Sequence, residues 1–158
     1  ISNEKRFLMI ENTVNYNFAG TGIAKFISGG AWKDASKKTK EKYIKFFKRH
    51  LALNIASIMQ GYANQEYNLT NSKYDTKNKV SLIDMNIFTN SSSITITWRV
   101  KQSKERFYII DLLVADISLV VTKRSEFNSM LKNVNNDLEI FSELLNKQNE
   151  ASYALLIK

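Results

Sequence analysis

The spacing of apolar residues changes from a helical period to a strand period at Gly61, and this change constrains the fold more than any other feature of the sequence. Over residues 37–62, apolar side chains recur at intervals of three and four, which predicts a long amphipathic helix. After Gly61, apolar and polar residues alternate, which is typical of strands buried on one face. Helical spacing returns from residue 117 onward. This order of helices, strands and helices indicates an α+β fold.

The same patterns predict the individual helices and strands. Helices are predicted over residues 2–13, 16–27, 37–62, 117–134 and 136–147. Strands are predicted over residues 65–74, 79–89, 93–102 and 106–115, and the short polar turns between them favour an antiparallel meander. We therefore expect helices packed on a curved four-stranded antiparallel sheet, a cone that can enclose an apolar pocket. We also expect a single domain over 1–158, in which the placement of the tail 148–158 is open.

The composition removes several kinds of active site. The chain has no cysteine, which excludes disulfides, thiol catalysis and zinc–thiolate sites. His50 is the only histidine and lies on the apolar stripe of the 37–62 helix, where a structural role is commoner than a catalytic one. No nucleophile elbow, metal-ligand spacing or phosphate-binding glycine loop is present. We therefore expect no enzymatic activity, no cofactor and no metal site.

Three aspartates keep an enzymatic alternative open. Asp84, Asp111 and Asp116 lie in or beside predicted strands, where a buried carboxylate can act as an acid or a base. Cone-shaped pockets between a curved sheet and helices are able to hold such chemistry. However, the sequence nominates no second polar group to converge on any of them.

The net charge of +8 is concentrated in residues 33–49. A basic surface attracts nucleic acid, anionic lipid or acidic proteins, although a solvated helix face is its commonest origin. The neighbouring aromatic residues Tyr43, Phe46 and Phe47 lie on the predicted buried side, which argues against nucleic acid. Transient docking onto an anionic membrane surface or an acidic partner remains open. A carrier of an apolar ligand, an enzyme and a basic interaction module are thus the three classes to separate.

Two segments carry a resemblance that favours the carrier. The first, 15–62, begins NYNFAGTGIAKFISGGAWKDAS and continues into the lysine-rich helix. The second, 107–127, reads FYIIDLLVADISLVVTKRSEF. Together they resemble the MlaC family of periplasmic phospholipid-binding proteins, also called toluene-tolerance auxiliary components of an ABC transporter. The chain departs from that family at Asp116, where glycine is usual, and it has no proline.

The resemblance implies a fold, a cargo and partners. Family members have the NTF2-like cone and hold phospholipid tails between its sheet and its helices. They carry lipid through the periplasm between an outer-membrane lipoprotein–porin complex and the lipid-binding component of an inner-membrane ABC transporter, which maintains outer-membrane lipid asymmetry. The cargo is phospholipid, and no cofactor is implied. A further first helix and a signal peptide are expected upstream of Ile1.

The candidate cavity wall consists of apolar positions on the long helix, the sheet and the 117–134 helix. These are Phe47, Leu51, Ile55, Ile58, Val80, Ile94, Ile96, Trp98, Ile109, Leu113, Ile117, Val121, Phe127 and Leu131. Each of them can equally belong to an ordinary core. Arg124 falls within an apolar stripe, where a charge needs a partner. It is a candidate for contact with a lipid head group, and the alternative is an ion pair with Asp111 or Glu126.

Overall fold

A computed structural model describes all 158 residues as six helices and one five-stranded sheet. The helices are α1 (Asn3–Asn17), α2 (Gly20–Ser28), α3 (Gly30–Lys33), α4 (Lys37–Gly61), α5 (Leu119–Lys132) and α6 (Leu138–Ile157). The strands are β1 (Glu66–Asp75), β2 (Val80–Phe88), β3 (Ser93–Ser103), β4 (Arg106–Val114) and β5 (Ile117–Ser118). The strands follow one another in chain order across the sheet, and every neighbouring pair is antiparallel. The predicted α+β meander is confirmed.

The sheet has one strand more than predicted. Residues 117–118 pair with the end of β4 as the short strand β5, so the helix predicted over 117–134 begins two residues later. Ser118 ends β5 and caps α5, because its hydroxyl oxygen accepts a hydrogen bond from the Val121 N–H at 3.0 Å. This cap satisfies one of the free N–H groups at the start of the helix.

The tail 148–158 is part of the last helix. Instead of ending near residue 147, α6 continues to Ile157. Arg49 of α4 anchors this extension, because its guanidinium lies 4.6 Å from the ring centre of Tyr153 and 4.8 Å from that of Phe7 in α1. The same guanidinium is 2.8 Å from both carboxylate oxygens of Glu11. One arginine therefore ties α1 and α6 to α4.

The helical core is built around the N-terminal half of α4. Tyr43 and Phe47 are fully buried there, and the Tyr43 hydroxyl donates a 2.7 Å hydrogen bond to the Ala24 carbonyl of α2. Phe127 of α5 packs between Phe47 and Phe141 of α6, with ring centres 6.0 Å and 4.9 Å away. Burying such large side chains supplies most of the stability of a core of this size.

The two faces of the sheet differ in polarity. On the face towards α4, the register aligns Met85 of β2 with Ile96 of β3, and Trp98 of β3 with Leu112 of β4. The opposite face carries polar cross-strand pairs, such as the 2.7 Å hydrogen bond from the Thr97 hydroxyl to Asp84. The alternation therefore presents a wide apolar surface to the C-terminal half of α4.

Candidate functional site

An apolar groove runs between the C-terminal half of α4 and the apolar face of the sheet. Its volume is about 400 Å³, which falls in the range of roughly 300–1,000 Å³ found for small-molecule sites. Of the 12 residues that line it, 11 are hydrophobic. They are Ile55, Ile58, Met59, Tyr62, Ala63, Gln65, Tyr67, Met85, Ile87, Ile96, Trp98 and Leu112. The groove thus offers apolar contact and no charged group.

The groove opens to solvent at one side. Met59 on α4 and Tyr67 on β1 lie there, and they are 53% and 63% exposed although both line the groove. The opposite wall is closed, because Ile55, Ile96 and Leu112 are buried. An elongated apolar ligand can therefore lie along the groove while a polar end stays in water.

Four of the predicted wall residues meet in the groove. Ile55 and Ile58 of α4 face Ile96 and Trp98 of β3. The prediction did not include the other eight residues of the lining. Met85 and Ile87 alternate along the predicted strand 79–89 in the same way as Ile96 and Trp98. The two-residue alternation could therefore have identified Met85 and Ile87 as wall residues.

The remaining wall candidates lie outside the groove. Four are buried in the helical core, namely Phe47, Leu51, Phe127 and Leu131. Ile94 and Ile109 are half-buried and pack against that core, and Val80 is buried at the start of β2. Leu113 and Val121 line a polar depression on the opposite face of the sheet. Ile117 is 66% exposed.

Arg124 is half-buried on α5 and lies against an aromatic ring. The centre of its guanidinium is 4.4 Å from the ring centre of Phe26 in α2. The two acidic residues that were considered as its ion-pair partners are bonded to other side chains. Glu126 accepts a hydrogen bond from Lys123 at 3.1 Å, and Asp111 accepts one from Ser118. The residues that line the groove do not include Arg124.

The three aspartates considered for acid–base chemistry lie apart from the groove. Asp111 is buried and accepts hydrogen bonds from the backbone N–H of Leu112 and of Val120, which orders the start of α5. Asp84 accepts the Thr97 hydroxyl, and Asp116 is exposed in the turn before β5. No group of three or more His, Asp or Glu side chains is arranged to hold a metal ion. None of the helices is both long enough and apolar enough to span a membrane.

His50 is a buried, neutral member of the helical core. The pKa of His50 is lowered from its ordinary 6.5 to about 4, mainly because the ring is buried and, to a lesser extent, because the Lys123 ammonium lies nearby. Its ring lies 5.3 Å from that of Phe127, and its Nε2 is 3.2 Å from the side-chain amide of Asn54. These contacts describe a packed core residue rather than a proton-transfer group.

This pKa predicts a pH-dependent stability. The unfolded chain binds a proton on His50 below about pH 6.5 and the folded chain only below about pH 4, so stability is lost as the pH falls between these values. The full difference corresponds to about 3 kcal/mol. Urea unfolding at about pH 7.5 and about pH 4.5 should show a loss roughly 2–3 kcal/mol larger for the wild type than for His50→Gln. Equal losses in both proteins would contradict this account, as would a single imidazole NMR signal that titrates near pH 6.5.

Comparison with known proteins identifies the family. The model of the family described as MlaC protein matches residues 2–147 of the chain. None of the curated proteins compared with the chain matches it. Among solved structures, the chain is similar to a phospholipid-binding protein from Ralstonia solanacearum that was solved in complex with a phospholipid. The two share 15% sequence identity and a TM-score of 0.78, over 94% of this chain and 84% of that one. The fold is therefore shared with that structure, and the match over residues 2–147 shows that this chain belongs to the MlaC family.

Proposed function

We propose that the chain binds the acyl chains of a phospholipid in the groove between α4 and the sheet, and carries the lipid through the periplasm. The observation that carries this proposal is the lining of the groove, in which 11 of 12 residues are hydrophobic. Family membership and the fold shared with a phospholipid-bound protein support the same cargo. No carboxylate, amine or imidazole lines the groove, so its chemistry suits binding rather than catalysis.

The energetics of lipid transfer explain why such a groove is needed. A two-tailed phospholipid exposes on the order of 30 methylenes, each costing about 0.8 kcal/mol in water. A carrier must therefore cover the tails with apolar surface throughout the transfer. Aromatic and aliphatic side chains such as Trp98 and Ile58 provide that surface, and the open side at Tyr67 leaves the head group hydrated.

The partners that we propose are those of the family. The lipid would pass between an outer-membrane lipoprotein–porin complex and the lipid-binding component of an inner-membrane ABC transporter. The basic face of α4 supports docking to acidic surfaces or anionic membranes, because Lys37, Lys38 and Lys45 are exposed there. Lys42 contributes less to this face, since it is paired with Glu143 of α6. Such contacts weaken as ionic strength rises.

Transfer of fluorescent phospholipid between donor and acceptor vesicles tests the proposal. We expect the transfer rate to rise in proportion to the protein concentration. Trp98→Phe keeps an apolar ring in the groove and should retain transfer, whereas Trp98→Glu places a carboxylate beside the tails and should abolish it. A wild-type protein that leaves the spontaneous transfer rate unchanged would refute the carrier function.

A further inference from the structure

A second concave surface, which we name the cationic cleft, carries three positive side chains and no acidic one. It has a volume of about 530 Å³ and lies where the end of the β3–β4 hairpin meets the junction of α1 and α2. Lys48 of α4, Lys101 of β3 and Arg106 of β4 line it. None of these three forms an ion pair, whereas Lys42 and Arg49 are paired with glutamates. The cleft therefore concentrates positive charge that the protein itself does not neutralise.

Arg106 is held in a fixed orientation within the cationic cleft. Its guanidinium lies 3.9 Å from the ring centre of Tyr16 and 4.6 Å from that of Tyr108. It donates to the Tyr16 carbonyl oxygen at 2.6 Å and to the Tyr108 hydroxyl at 3.2 Å. A guanidinium has five N–H donors, so donors remain for a ligand. Because the group is already ordered, binding costs little side-chain entropy.

Lys48 approaches the cationic cleft across the start of α2. A Cβ atom at Gly20 would lie only 3.2 Å from carbon atoms of the Lys48 side chain, so the missing side chain at Gly20 allows this approach. The residue before the helix, Ala19, has no side chain that can accept from the first N–H groups of α2. These N–H groups add to the positive potential that the three cations create.

The cationic cleft is separate from the apolar groove. Alternation along β3 places Trp98 and Val100 on one face of the sheet and Lys101 on the other. Arg106 and Tyr108 share the face of Lys101, since Lys101 pairs directly with Tyr108 in the antiparallel register. No residue lines both the groove and the cleft. Occupancy of one can therefore be measured independently of the other.

We propose that the cationic cleft binds a phosphate group through Lys48, Lys101 and Arg106. Charge-assisted hydrogen bonds from a fixed guanidinium and two ammonium groups match the several acceptor oxygens of a phosphate. A lipid head group at a bilayer surface and free inorganic phosphate both offer this chemistry.

Two probes separate these sources. Calorimetric titration with inorganic phosphate measures the affinity of the protein for free phosphate. Cosedimentation with phosphatidylcholine vesicles, with and without phosphatidylglycerol, measures how much protein binds to phospholipid head groups at a bilayer surface. The test variant is K101Q/R106Q. The matched control is K132Q/K147Q, which removes two charges from exposed positions of α5 and α6, outside the cleft, the groove and the basic face of α4. Lys101→Gln alone is a second test, since Lys101 is exposed and its loss leaves the packing intact.

We expect K101Q/R106Q to weaken binding of at least one probe by about tenfold or more, while K132Q/K147Q stays within about twofold of the wild type. Lys101→Gln should weaken binding in the same direction. Binding of inorganic phosphate identifies a free-phosphate site, and binding of phosphatidylglycerol vesicles alone identifies a head-group site. Equal weakening by both double variants, or a wild type that binds neither probe, would overturn the proposal. An Ile58→Glu variant, altered in the groove and not in the cleft, should bind inorganic phosphate as the wild type does.

Discussion

An Ile58→Glu variant is expected to be purified without phospholipid, although it remains folded. Ile58 is half-buried on α4 and faces the groove, so a glutamate there points its carboxylate at the acyl chains. Covering a carboxylate with hydrocarbon costs at least about 3 kcal/mol, which lowers lipid affinity roughly a hundredfold. The lipid content is measured by extraction of the purified variant, and circular dichroism reports its helix content.

Ser57→Glu is the matched control for Ile58→Glu. Ser57 is the preceding residue of the same helix, it is exposed, and it does not line the groove. The substitution adds the same charge to the same turn of α4, so it should leave the lipid content unchanged. If both variants lose lipid equally, the effect comes from the charge of the helix and the groove is not the lipid site.

The largest loss of stability is expected for Phe127→Ala. Phe127 is fully buried and packs against Phe47, His50 and Phe141, so its removal leaves a cavity in the helical core. Truncation of a buried phenylalanine typically costs about 3–5 kcal/mol in the free energy of unfolding. Urea unfolding measures this loss. Because Phe127 lies outside the groove, the folded variant should keep its phospholipid.

Val121→Ala provides the control for this prediction. Val121 lies on the same helix but is 60% exposed, so its truncation should change the free energy of unfolding by no more than about 0.5 kcal/mol. A small effect of Phe127→Ala would contradict the core that the structure describes. If folded Phe127→Ala loses its lipid, Phe127 is part of the lipid-binding wall, as the sequence predicted.

The helices and strands could be predicted because each apolar repeat continues regularly over a long segment. The long helix was expected over 37–62 and spans Lys37–Gly61, and the third strand was expected over 93–102 and spans Ser93–Ser103. Alternation along that strand also placed Ile96 and Trp98 on one face, which is the face that lines the groove. Local patterns thus sufficed wherever one element alone decides the direction of a side chain.

A bulge explains why the wall on β4 could not be predicted. Arg99 pairs with Asp111 but Val100 pairs with Ile109, so Ile110 is an extra residue in β4. The extra residue reverses the alternation, and Leu112 faces the groove where Leu113 was expected. Bulges depend on pairing between strands, which the sequence of one strand does not reveal.

The apolar stripe of α4 posed a different difficulty. Phe47 and Leu51 lie on the same stripe as Ile55 and Ile58, yet α2 and α5 cover the first pair and leave the second pair at the groove. Helical period identifies a buried face but not what covers it. The placement of the tail 148–158 could not be predicted for a similar reason, because the packing of Tyr153 on Arg49 joins residues that are far apart in the sequence.

Organic extraction of the natively purified protein, followed by mass spectrometry of the extract, tests the carrier function most directly. The groove predicts stoichiometric phospholipid from the wild type and from Ser57→Glu, and none from Ile58→Glu. A lipid-free extract from a wild-type protein that also fails to take up added phospholipid would contradict the account, and the groove would then be an ordinary gap between α4 and the sheet.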